Sequence, residues 1–493
     1  MNANLFELFR THWSVALDRQ FLVPLTTNGA PNASPVTYRQ IDERAGQFAS
    51  LLRAEGVTPS ERVVVQVDKS VDNVAIYLAC LRVGAIMVPL NTAYTDHEVE
   101  YFVDDAMPKV VIDRANVDEW SLRASDATPW LHCEPRLADD VAALLYTSGT
   151  TGRSKGAMLT HGNLVSNALT LHSAWQFAPG DVLLHILPIY HVHGLFVALH
   201  TAMLNASTVL FCDRFDPSTV FEHLPEATVM MGVPTHYARL LNDERFDRDL
   251  CENMRLFTSG SAPMTEGLHL DFTGRTGHKI LERYGMTETG MLTSNPYAGD
   301  RVAGTVGFPL PGVQLRIVGE DGAECPPDVA GVVQVQGPNV FAGYWRLPEK
   351  TQEAYSGDWF ITGDIGFAAA DGRVTLEGRG SDMIISGGLN VYPREIELVL
   401  DEFAGVSESA VIGIPDDDLG ERVHAYLVVD AGGRSDGIVR ARSGPARGLQ
   451  GSKGLRSHRC AAEKHNGQGA EVAATSTRIW VDRRTLGQSA RST

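Results

Sequence analysis

Residues 63–67 form an apolar β-branched run, residues 71–82 carry a helical pattern, and residues 85–90 form a second apolar run. Two strands separated by a helix lie parallel, because antiparallel neighbours need only a tight turn whereas parallel ones need a crossover. Parallel strands are buried on both faces, so helices have to cover them. Further apolar runs at 141–146, 182–187, 208–211 and 228–233, with helical patterns between several of them, extend this unit into an α/β domain. With 493 residues the chain exceeds one ordinary core, and two or more domains are expected.

From about Gly304 the texture changes to short strands broken by Gly and Pro, which predicts a β-rich subdomain. After Leu376-Glu377-Gly378-Arg379-Gly380 it changes again, to a strand, a Gly-Gly turn and a helix from Pro393. The expected fold class is α/β. A large N-terminal domain, residues 1–378, contains layered α/β subdomains and the β-rich subdomain, and a small mobile α+β C-terminal domain starts at 379 and runs to 429. Residues 430–493 read differently: ten Gly and ten Arg, few large apolar residues, no helical or strand period and no evident core.

Lys plus Arg number 42 against 60 Asp plus Glu, a net charge of -18, which argues against nucleic acid or an anionic membrane as the main partner. Small-molecule ligands remain, including anions, since a local nest of N–H groups binds phosphate whatever the net charge. The six cysteines lack a CxxC pair and histidines at zinc-finger spacing, so reduced thiols are expected. The start has no signal-peptide apolar core, and no run reaches the roughly 18 apolar residues of a membrane span, which together predict a cytoplasmic protein. Oligomeric state is not legible.

Tyr146-Thr147-Ser148-Gly149-Thr150-Thr151-Gly152-Arg153-Ser154-Lys155-Gly156 directly follows an apolar strand. Small residues let N–H groups close around phosphate oxygens, hydroxyls add donors, and Lys155 adds charge. The spacing is not GxxxxGK[ST], so this is not a Walker loop. The segment resembles the phosphate loop of the adenylate-forming superfamily: acyl-CoA synthetases, luciferases and peptide-synthetase adenylation domains. The superfamily's other motifs come in order: Gly260-Ser261-Ala262-Pro263, Tyr284-Gly285-Met286-Thr287-Glu288, Thr362-Gly363-Asp364, and Gly378-Arg379 before the Gly387–Glu397 stretch. The likeness covers residues 1 to about 429.

That resemblance implies ATP and CoA as substrates, Mg²⁺ as cofactor, and a carboxylic acid activated as its adenylate. It implies that Thr147, Ser148, Gly149, Thr150, Thr151, Gly152 and Lys155 hold the β- and γ-phosphates, that Thr287 touches the α-phosphate, and that Glu288 helps hold the metal. Ser261, Ala262 and Pro263, with Tyr284, resemble the walls of the adenine slot, and Gly260, Glu282, Gly285 and Met286 are further nucleotide-binding residues that the resemblance implies. Asp364 resembles the ribose carboxylate and Arg379 a second nucleotide contact. From residue types alone, Glu288 equally fits the first turn of a helix and Asp364 an Asx turn. The small domain rotates between half-reactions in this superfamily; the hinge follows Arg379, where Ser381 replaces the Asp or Lys common in relatives. Tyr190, His191 and His193 in Leu187-Pro188-Ile189-Tyr190-His191-Val192-His193-Gly194 resemble the gate beside the acyl pocket.

Arg283 singles out the acid. A buried arginine is costly unless an anion meets it, and a dicarboxylate would react through one end while Arg283 grips the other bidentately. An internal pair with Glu282 is the alternative. Together with the Asn91–Thr95, 187–196 and 294–302 segments, this stretch resembles malonyl-CoA synthetases, implying malonate and also methylmalonate as candidate acids. Another short-chain or dicarboxylate acyl-CoA ligase, or an inactive nucleotide-binding pseudoenzyme, are the competing readings.

Relatives end in a Pro-rich loop and a Gly-Lys whose lysine bridges carboxylate and α-phosphate; neither Lys453 nor Lys464 lies in such a sequence. Residues 461–471, back-translated with permitted codons and read one base later, give LPKNTMGKVQK, and residues 448–456 in the same frame give AFKVPKAFV. A frameshift beginning between Asp430 and Arg447 would account for both, with the missing lysine encoded across Gln468.

Overall fold

The computed structural model describes residues 2–27, 34–147, 154–386, 389–391, 393, 396–397, 400, 406–416, 420–429, 437–444, 462–465, 469–474 and 477–481. The Gly-Gly turn at 387–388, much of the helix expected from Pro393, and Lys453 and Gln468 of the tail lie outside these residues. The chain divides into two compact units. The first comprises residues 1–316, 334–362 and 368–375, and the second comprises residues 317–333, 363–367 and 376–493.

The first unit contains two mixed sheets. In one, Val110–Asp113, Arg62–Gln66, Ile86–Pro89 and Val141–Thr147 run parallel, and Lys155–Thr160 closes the edge antiparallel. The helix Val71–Val83 makes the expected crossover. Ser70 caps its start by accepting from Asn73 N–H, and Gly84 ends it at φ 72°, a left-handed conformation that glycine adopts without a Cβ penalty. It is apolar on every side and correspondingly buried throughout, as a helix between two layers has to be.

The other sheet has nine strands, whose central members Gln20–Leu25, Thr208–Cys212, Val182–His185, Val229–Gly232, Leu256–Ser259 and Leu281–Met286 are parallel. Gly290–Ser294 then folds back antiparallel on Leu281–Met286. The run expected to reach Leu187 pairs only to His185.

Side-chain amides fasten this hairpin. From the helix His161–Ala174, Asn167 donates to Met291 O at 2.9 Å and accepts from Met291 N at 3.1 Å, replacing a missing strand neighbour. Asn339 donates to Thr289 O at 2.8 Å, and Asn163 donates to Val340 O at 2.8 Å.

In the second unit, Val406–Asp416 pairs antiparallel with Gly420–Val429, and Ile384, Ile396, Leu400, Val411, Val423, Ala425 and Leu427 form a small core. The tail departs from expectation. Gly437–Gly444, Ala462–His465, Gly469–Ala474 and Thr477–Val481 continue this sheet as antiparallel strands. Ladder hydrogen bonds come from the backbone, so pairing does not require the alternating apolar pattern that the tail lacks.

Asn167→Leu should leave the Met291 N–H without its side-chain acceptor and its C=O with only the longer Asn339 donation at 3.4 Å, and lower the unfolding free energy by about 1–3 kcal/mol. A fall in the urea midpoint at constant slope is the reading that checks it.

Candidate active site

Parallel pairing of Leu256–Ser259 with Leu281–Met286 places the segments beyond them side by side, at the carboxyl ends of strands where α/β sheets bind ligands. After the first strand, Gly260 is buried while Ser261, Ala262 and Pro263 are exposed. Ser261 holds φ 67°, a conformation uncommon for residues with a side chain, before the chain enters the helix Glu266–Thr276.

After the second strand, residues 287–289 turn the chain back. Glu288 therefore sits in a hairpin loop rather than the first turn of a helix. Met286 opposes Gly290, whose φ of 59° suits a three-residue turn. Tyr284 is 8% exposed, and Gly285 passes so close to the returning strand that a Cβ there would collide with Gly290 O.

Glu288 is 5% exposed and held from both ends. Its carbonyl accepts from Phe341 N at 2.8 Å, and its Oε1 accepts the Tyr344 hydroxyl at 3.0 Å. Burial, then the neighbouring carboxylate, raises the Tyr344 pKa, so the phenol stays a donor. Thr147, the last residue of Val141–Thr147, reaches Glu288 Oε1 at 3.5 Å, and Lys155 Nζ lies 4.3 Å from the centre of the Tyr344 ring. The ends of the 148–153 loop are thus brought beside Glu288. Ser148, Gly149, Thr150, Thr151 and Gly152 themselves lie outside the described residues. Among the described residues no group of three or more metal-ligating side chains forms. A buried carboxylate beside a hydroxyl suits a hard cation that keeps substrate oxygens as its other ligands, and the Lys155 ammonium suits those oxygens rather than the cation.

Alternation along Leu281–Met286 sends Glu282 and Arg283 to opposite faces. Glu282 pairs with His269 Nδ1 at 2.9 Å and accepts from Gly304 N at 3.3 Å, while its carbonyl accepts from Asn295 N at 3.0 Å. Burial raises its carboxyl pKa. The Glu282 side chain, expected at the nucleotide, is therefore committed elsewhere, and it does not pair with Arg283.

Arg283 is 3% exposed, and its Nε and Nη2 have no hydrogen-bond partner among the described residues. Burial pushes its pKa down to about 10, which leaves it protonated at neutral pH. It packs on Gly260, where a Cβ would stand 2.6 Å from Nη1. Gly260, expected at the nucleotide, also makes room for this guanidinium.

His193 lies on the same side, with Nδ1 3.4 Å from Ser261 Oγ and a buried, unpartnered Nε2. Burial first, and then the Arg283 charge, hold its pKa well below 6.5, so it is neutral. His191 is exposed, its ring 4.7 Å from that of Tyr190. A buried cation and a buried neutral imidazole, both with free nitrogens, form an anion-seeking pair.

In the second unit, Asp364 lies within the strand Trp359–Ala368, not in an Asx turn, and its Oδ1 is 3.3 Å from Arg379 Nε. Nothing in the sequence pointed to Tyr344, Asn167 or Asn339. Tyr344 stood out only as part of a Gly-rich, β-textured stretch, and a single asparagine carries no periodic signal.

Residues 18–345 match the AMP-binding enzyme family. The mitochondrial malonate–CoA ligase of Mus musculus is 34% identical, over 80% of this chain and 78% of its own. The malonate–CoA ligase of Arabidopsis thaliana is 32% identical, over 82% and 74%. ATP-bound MatB from Rhodopseudomonas palustris superposes with a TM-score of 0.82 at 46% identity, covering 88% of this chain and 90% of that one.

Gly285→Ala should cost about 1–3 kcal/mol through overpacking of the hairpin. Gly267→Ala is the control: its Cβ meets nothing within 4 Å, and helix propensity alone should hold or raise stability. Urea unfolding of the two variants reads the difference.

Proposed function

Because this chain belongs to the AMP-binding enzyme family and is an adenylate-forming acyl-CoA ligase, we propose that its acid is malonate, with methylmalonate as a second candidate. A malonate oxygen attacks the α-phosphorus of ATP and pyrophosphate leaves; the CoA thiol then attacks the acyl carbon and AMP leaves. Both steps need alignment and charge neutralisation rather than a protein nucleophile.

The observation that carries the choice of acid is Arg283. A buried guanidinium with two nitrogens unpartnered, and no carboxylate paired to it, among the described residues costs several kcal/mol unless a ligand supplies the anion. The unreacted carboxylate of a dicarboxylic acid does so, and His193 Nε2 offers a further contact beside it. A monocarboxylic acid would leave the guanidinium uncompensated.

At the other end of the hairpin, Glu288 with Thr147, Lys155 and Thr287 fits the phosphates and a Mg²⁺ ion, which when bound would neutralise phosphate charge. Tyr284 and the 260–263 segment are proposed for the adenine. Asp364, with Arg379 on its Oδ1, is proposed for the ribose hydroxyls.

Calorimetric titration of malonate in the presence of α,β-methylene-ATP, which cannot react, tests the acid without requiring turnover. Arg283→Ala should weaken malonate binding by about thirtyfold or more, the worth of a charge-assisted hydrogen-bond pair. Affinity for the nucleotide analogue should stay within about threefold. Equal losses for both ligands, or none for malonate, would remove the assignment. Since Arg283 is protonated below about 10 and His193 is neutral, malonate affinity should be flat between about pH 7 and 9.

We further propose that adenylation by this chain is impaired, because no Gly-Lys of the family type occurs in residues 430–493. Losing a charge that acts in the transition state costs about a hundredfold or more. Restoring the one-base-shifted frame from within residues 430–447 should recover that factor in malonate-dependent pyrophosphate release. An unchanged rate would dispose of the frameshift account.

A further inference from the structure

Half-buried Lys69 and the buried His185 and Gly194 form a hydrogen-bonded chain that ends next to His193. Lys69, just beyond the carboxyl end of Arg62–Gln66, places Nζ 2.8 Å from His185 Nδ1 and 2.8 Å from His185 O. His185 ends the strand Val182–His185, is 1% exposed, and places Nε2 3.0 Å from Gly194 O. A carbonyl can only accept, so Nε2 carries the proton, Nδ1 is the acceptor, and Lys69 donates to it; the tautomer is assigned from this network. Burial, then the Lys69 charge, hold the His185 pKa well below 6.5, consistent with a neutral ring.

Gly194 is the second residue of the π-helical turn His193–Leu199. Its backbone packs so tightly on the preceding loop that a Cβ would collide with Pro188 O. Single π turns are rare and concentrate at functional sites, because the wider ring has to be held open by something outside the helix. Here the His185 imidazole takes the Gly194 carbonyl and fixes the turn that carries the His193 ring.

A lysine is an expensive way to fill such a space. Phe211 lies under the amine, with Nζ 4.5 Å from the ring centre, and Cys212 and Asp213 are the nearest acidic groups that act on it. Burial pushes the Lys69 pKa down to about 7. Both donations survive in either protonation state, because even the neutral amine keeps two N–H bonds.

We propose that Lys69 and His185 are positioning residues for recognition of the acid's distal carboxylate. They set the imidazole tautomer that anchors the π turn and thereby aim His193 beside Arg283. This rests on the reading of Arg283 and His193 as the acid site.

The test is titration of the full chain with malonate in the presence of α,β-methylene-ATP. His185→Leu and Lys69→Met should each weaken malonate binding by about tenfold, as loss of a supporting partner around a site does. The affinity for the nucleotide analogue should stay within about twofold. His185→Gln, whose amide keeps a donor near the Nε2 position, should recover most of the loss. If Leu and Gln behave alike, if malonate affinity is unchanged, or if both ligands weaken together, the proposal fails. Should the His185 variants not fold, Lys69→Met alone decides by the same split between ligands. Arg283→Ala in the same assay separates the two ideas. If it weakens malonate binding while the Lys69 and His185 variants leave malonate affinity unchanged, the relay is wrong and the acid site stands; if none of them changes malonate affinity, the acid site itself is wrong.

Discussion

Leu256–Ser259 and Leu281–Met286 lie side by side in parallel, so the chain leaves both at the same edge of the sheet. Beyond the first strand the chain needs a strained Ser261 turn to reach its helix; beyond the second it reverses as a hairpin. The hairpin lies at the end of the parallel array, and among the described residues its returning strand has a second strand neighbour, Phe308–Pro309, only along Thr293 and Ser294. Asn167 and Asn339 supply the missing hydrogen bonds, and Gly285 and Gly290 permit the close approach. Remove that support and both charged residues of the hairpin lose their positions.

Those charges, Arg283 and Glu288, sit five residues apart in sequence with opposite signs, and they do not pair. Glu288 has a tyrosine donor and backbone support, whereas buried Arg283 has Gly260 against it, a neutral histidine nearby and no ion-pair partner among the described residues. Separation of this kind is electrostatically unfavourable in the empty protein. Under the function proposed above, an anion at Arg283 and a metal-phosphate group at Glu288 would offset it, so stability given up at the site would be recovered on binding both substrates.

Much of this was legible beforehand. The parallel βαβ unit, its crossover helix and the order of the short motifs are local patterns, and the helix and strand positions agreed within a few residues. Arg283 was also readable, because an arginine beside an aromatic strand residue is chemically conspicuous. Its partner was not: Glu282 is its immediate neighbour in sequence, yet strand alternation turns the two apart and delivers Glu282 to His269. Gly260 read as part of a nucleotide turn, and only packing revealed the guanidinium lying against it.

The sequence by itself determined the family and the parallel core, and it singled out the segment proposed to meet phosphate. All of these rest on residue types a few positions apart, where periodicity and motif spacing act. Tertiary structure decided which of those residues face one another. Tyr344 meets Glu288 across 56 positions, Lys69 meets His185 across 116, and Asn167 meets Met291 across 124. Contacts at such separations depend on how sheets and helices pack, and no local pattern encodes them.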